Sequence, residues 1–125
     1  MKQKMRALHK KLDLTTYAHD KQVEFEFKPS AGVALEDVTP VSVPVPIMYR
    51  LYHLGRAYDL NQLKLLQPTG TTAVSFVPLQ LLGQELEQVA ELVDDPVIRH
   101  YGALLGEIIR KTRHDTEGTL LVKAP

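Results

Sequence analysis

The sequence predicts an α+β fold: a mostly antiparallel sheet of about 4–5 strands, about 3–4 helices packed on one face, and a helical hairpin at about residues 78–112. Three observations carry this. Val23, Phe25 and Phe27 alternate with Glu24 and Glu26, the period-2 pattern of a half-buried strand. Leu79, Leu82, Leu86, Val89, Ala90 and Val93 recur at helical spacing, opposite Gln80, Gln84, Glu87, Gln88 and Glu91. Strands and helices do not alternate strictly, which argues against a doubly wound parallel sheet. The 125 residues are read as a single domain, 1–125. Within it, residues 1–20 are expected as a mobile basic arm or a short helix.

Taken in order, residues 2–12 place Met5, Leu8 and Leu12 at helical spacing among Lys2, Lys4, Arg6, Lys10 and Lys11. The strand at 22–28 stops at Pro29, and residues 30–40 form a loop carrying Glu36 and Asp37. In VSVPVP at 41–46, Val41, Val43 and Val45 share a face, while Pro44 and Pro46 cannot donate to a sheet ladder, so this is an edge strand. Residues 47–60 have helical periodicity, with Ile47, Leu51, Leu54 and Tyr58 directed to the core and Pro46 suited to the first turn. QLKLLQ at 62–67 and TTAVSFV at 71–77, joined by Pro68, Thr69 and Gly70, are read as a hairpin, with a helical alternative for the first arm. A helix starts at Pro78. Asp95 and Pro96 supply an N-cap and a first-turn proline for the next, over about residues 96–112. Its predicted core face is Val97, Tyr101, Leu104, Leu105 and Ile108. TLLVK after Gly118 is the last strand.

Composition excludes several chemistries. There are 15 Lys+Arg, 15 Asp+Glu and no Cys, so there is no thiolate nucleophile, no disulfide and no Cys-ligated metal. Zero net charge disfavours nucleic-acid binding by the domain as a whole. The N-terminus lacks the apolar run of a secretory signal, and no window approaches the ~18 apolar residues of a membrane span. A cytoplasmic location with no membrane association is the expectation. Phosphate-binding glycine loops, nucleophile elbows and paired metal-ligating histidines are absent from the pattern. Neither a metal nor another cofactor is expected.

Two sets of residues stand out. Tyr49, Tyr52, His53 and Arg56 lie on one face of the 47–60 helix. They combine two phenols, an imidazole and a guanidinium, a set suited to a protein interface or to an anionic ligand. Glu85, Glu87, Glu91, Asp94 and Asp95 fall in a stretch without a basic residue between Lys64 and Arg99, giving an acidic face for a basic partner. Gly102 and Gly106, four apart in a helix, suggest a close approach by another helix, either internal or across a homodimer.

The expected function is therefore a small non-enzymatic interaction module that binds a protein partner or forms a homo-oligomer. In size and charge profile it is similar to small bacterial immunity- or antitoxin-type proteins, without a residue motif that ties it to them. The alternative is a small-molecule or anion-binding protein, or a modest enzyme, in which Arg56 holds an anion and His53 moves a proton. A third reading gives residues 2–11 phosphate contacts on a nucleic acid.

Overall fold

A computed structural model of the chain describes residues 12–31, 38–66 and 69–125. The expected basic helix at 2–12 and the loop acids Glu36 and Asp37 lie outside the described residues, apart from Leu12. The elements are β1 (Gln22–Lys28), β2 (Val41–Pro44), α1 (Val45–Ala57), β3 (Thr71–Val74), α2 (Phe76–Leu92), α3 (Pro96–Lys111) and β4 (Thr119–Lys123), with 3-10 turns at Thr15–Tyr17 and Leu63–Leu65. Among the described residues the fold is α+β: one open antiparallel sheet in the order β2-β1-β4-β3, and three α-helices.

Sheet register follows from the alternation seen in the sequence. Val23 faces Val43, Phe25 faces Val41 and Val122, and Phe27 faces Leu120. Val74 continues this row beyond Leu120. All of these except the half-buried Val41 are buried, and they form one core cluster with Ile47, Leu51, Leu82, Ile98 and Leu105 from the helices. The other face of the sheet is polar. There Lys123 Nζ donates to Glu26 Oε1 at 2.8 Å and lies 4.0 Å from Glu24.

Hydrogen-bonding parity is readable at both edges. Val45 N–H donates to Lys21 C=O at 2.9 Å, so residues 21, 23 and 25 direct their backbone groups toward β2. Pro44, opposite Gln22, therefore has its N–H-less nitrogen on the open side, which is where an edge strand tolerates proline. The edge assignment of 41–46 holds, but only 41–44 is strand, because α1 begins at once at Val45 with Pro46 in its first turn.

Several expectations are corrected. The hairpin reading of 62–67 fails for the described residues 62–66, and the helical alternative for that arm is nearer: Leu63–Leu65 is a 3-10 turn, and β3 pairs with β4 instead. A six-residue segment with three leucines does not distinguish strand from helix, and here a buried anchor decides. Leu63 is fully buried, and Gly55 of α1 lies so close that a Cβ there would sit 2.7 Å from Leu63 Cβ. The strand at 71–77 ends at Val74, and Phe76 and Val77 open α2 two residues before Pro78. Proline is tolerated there because first-turn N–H groups have no helical partner. Tyr58 is not core but 46% exposed: α1 ends at Ala57, and Asp59 turns the chain with φ 55°, while Met48 and Gly55 take the buried arc. In α3 the buried face is Ile98, Tyr101, Leu105, Ile108 and Ile109, one residue round from the prediction, and Leu104 is 39% exposed.

Candidate functional site

On α1, burial of Ile47, Met48, Leu51 and Gly55 turns the opposite face outward. Tyr49 is 43% exposed, His53 and Arg56 are exposed, and Tyr52 is half-buried. These four make a ladder of ring contacts. Tyr49 and His53 stack, with centroids 6.3 Å apart and planes at 23°. His53 meets Tyr52 at 5.3 Å and a 59° tilt, and the Arg56 guanidinium carbon lies 5.9 Å from the Tyr52 centroid. Helical spacing of four residues produces two of these contacts, Tyr49 with His53 and Tyr52 with Arg56, so the sequence pattern and the geometry agree on which of those side chains meet.

Concavity separates the two readings of this face. A cleft of about 380 Å³ lies between α1 and the start of α3, lined by Arg50, His53, Leu54, Ala57, Val93, Asp95 and Ile98. Of the four ladder residues it takes only His53. Its cation, Arg50, is ion-paired with Asp95 and also reaches Tyr17 Oη at 3.5 Å. An anion entering this cleft would have to displace an intramolecular carboxylate. Tyr49, Tyr52 and Arg56 remain on the outer surface of the helix.

The five acids do not form one face. Glu85 is turned inward: its carboxylate accepts from Gln62 N–H at 3.0 and 3.1 Å and from Leu63 N–H at 2.9 Å. It caps the turn at Leu63–Leu65, a role no local sequence signal carries, since its partners are backbone amides over twenty positions away. Asp95 N-caps α3, accepting from Val97 N–H at 3.0 Å and Ile98 N–H at 3.2 Å, besides its pair with Arg50. Asp94 lies 3.4 Å from Arg99. Glu87 and Glu91 are exposed on α2.

Gly102 and Gly106 do not sit under a neighbouring element. A Cβ at either would meet nothing within 4 Å. Internal close packing as their explanation is overturned. They line an open groove of about 540 Å³ between α2 and α3, floored also by Gly83 and Ala90 and edged by Glu87, Arg99 and Arg110.

One polar centre carries no signal in the local sequence. Asp115 is 4% exposed. Its carboxylate accepts from Ser30 Oγ at 2.7 Å, Ser30 N–H at 2.8 Å and Glu117 N–H at 3.3 Å. These hydrogen bonds, the Ser30 hydroxyl foremost, hold its carboxyl below the usual carboxylate range. The cluster fastens the chain after β1 to the turn before β4. It is saturated by its own partners, which makes it structural. Among the described residues, no three His, Asp or Glu side chains are placed to share a metal ion, and no helix is long and apolar enough to cross a membrane. No family model, curated protein or solved structure matches the chain.

Proposed function

We propose that this chain is a non-enzymatic protein-binding module whose contact surface is the α1 ladder of Tyr49, Tyr52, His53 and Arg56. The observation that supports it is the pre-stacked, outward-facing aromatic and guanidinium set on a helix whose other side is anchored in the core. Tyr and Arg dominate interface energetics because they bury large area while keeping a polar handle, and prior stacking lowers the ordering cost on binding. The rest of the proposal follows from the same picture. α2 and α3 act as a helical hairpin that presents Glu87 and Glu91 as a charged rim to a basic region of the partner, in a cytoplasmic setting.

The small-ligand reading is weaker on one specific ground. The cleft beside the ladder carries an internally neutralised Arg50 and omits three of the four ladder side chains.

The test is affinity capture from the native host with the wild-type chain and with a Tyr49→Ala/Arg56→Ala variant, each washed at low and high salt. A stoichiometric protein held by the wild type at high salt and lost by a folded variant supports the ladder. Truncating two such anchors is expected to cost at least ~2 kcal/mol, about 30-fold in affinity. A partner retained equally by both proteins would sink the assignment of this face.

A further inference from the structure

The two edges of the sheet are not equivalent. At β2, Pro44 takes one donor off the open side and the chain leaves directly into α1. β3, Thr71–Val74, has no such device. Ala124 N–H donates to Gly70 C=O at 2.9 Å, so residues 70, 72 and 74 bond toward β4 and the backbone groups of Thr71 and Ala73 point the other way. Both residues are exposed, and no hydrogen bond among the described residues engages them from that side. Residues 70–75 carry no charge, no proline and no bulge, the features by which edges are normally closed. A cleft of about 170 Å³ runs beside this edge, with Leu65, Ala73 and Pro78 in its lining. Leu65 and Val77 nearby are 62% and 65% exposed.

We propose that the β3 edge pairs with β3 of a second copy of this chain, joining two sheets into one through a two-fold axis at Thr72. In that antiparallel register Thr71 of one protomer faces Ala73 of its partner, and Ala73 faces Thr71. Each such pair exchanges both of its N–H···O bonds, so every outward amide and carbonyl of the two residues is satisfied. A second copy, rather than a foreign peptide, follows from the chemistry of the strand. It is uncharged, so self-pairing opposes no like charges. It also has no charged side chain with which to select a foreign segment. Leu65 and Val77 supply apolar surface on both sides of the axis. This surface is separate from the α1 ladder.

Sedimentation velocity from about 10 μM to about 1 mM reads the association, and amide hydrogen exchange at Thr71 and Ala73 reads its place. Wild-type chain is expected to dimerise with concentration, with slower exchange at those two amides. Ala73→Pro removes an outward N–H without touching the β4 ladder, and Thr71→Lys sets two cations beside the axis. Each is expected to weaken dimerisation at least about tenfold with circular dichroism unchanged. Should the proline variant fail to fold, the lysine variant decides. Tyr49→Ala is expected to leave the dimer intact, which separates this inference from the function proposed above. A wild type that stays monomeric at about 1 mM, or dimers of undiminished affinity in the folded variants, overturns it. So does protection of the two amides that another protein alone brings about.

Discussion

At the scale of single residues, the sharpest constraints fall around Asp115 and Gly118. A Cβ on Gly118 would lie 2.2 Å from Phe27 Cζ and 2.8 Å from Asp115 Oδ2. Phe27 is a core strand residue and cannot swing away, so Gly118→Ala is expected to destabilise the fold by about 1–3 kcal/mol or more, measured by urea unfolding. Asp115 gives a pH signature. Its folded pKa lies below the ordinary value, so its stabilising contribution is complete above the unfolded-state pKa of about 3.9 and is lost as pH falls through the lower folded value. Asp115→Asn is therefore expected to be less stable than wild type at neutral pH, and the gap to close below about pH 4. A gap that stays constant from neutral to acid pH would contradict the Ser30 arrangement. Neither constraint was legible in the sequence. Asp115 and Ser30 are 85 positions apart, and their meeting depends on β1 and β4 becoming neighbours.

At the scale of elements, two predictions test how the helices are held. Gly102 and Gly106 cost helix stability and receive no internal packing in return. Alanine at each is expected to raise stability by about 0.5–1 kcal/mol, seen as a higher urea midpoint with an unchanged slope. A loss of stability would mean that the groove between α2 and α3 is filled. Glu85→Ala removes the acceptor of the Gln62 and Leu63 amides, and leaving them unpaired is expected to cost about 1–3 kcal/mol, with faster exchange confined to those two amides. Legibility also varies by element. β1 and α2 were plain because their apolar spacing admits a single face. α3 was misread by one residue because Val97 and Leu104 offer a second apolar stripe overlapping Ile98, Tyr101, Leu105 and Ile109, and only the sheet chooses between them. The sequence leaves the Leu63–Leu65 turn between strand and helix because its conformation is set by close packing on Gly55 and by the Glu85 carboxylate, 22 positions away. The α1 ladder was legible because its members lie one turn apart. The acidic set was not, since side-chain partners scatter it.

At the scale of the whole molecule, zero net charge conceals local separation, and α2 keeps Glu87 and Glu91 exposed. Reversing both, Glu87→Lys with Glu91→Lys, is expected to slow association with a basic partner mainly through the on-rate, most strongly at low salt, with the circular dichroism spectrum unchanged. Binding kinetics identical to wild type at low salt would remove that face from the interface. One property of the sheet reaches back to how the chain is made. Among the described residues its central pair joins β1 to β4, the first strand to the last, with β3 attached to β4 alone. During synthesis, then, β1 and β2 emerge with the Val23, Phe25 and Phe27 face uncovered on one side, and β3 emerges with no strand to join. The ribosome must release the segment after Gly118 before either piece can complete the sheet. Helices made before β4 can cover the apolar face, but until β4 is made β1 keeps an unpaired edge and β3 lacks its partner, so a growing chain of this topology depends on keeping those strand edges apart from other chains.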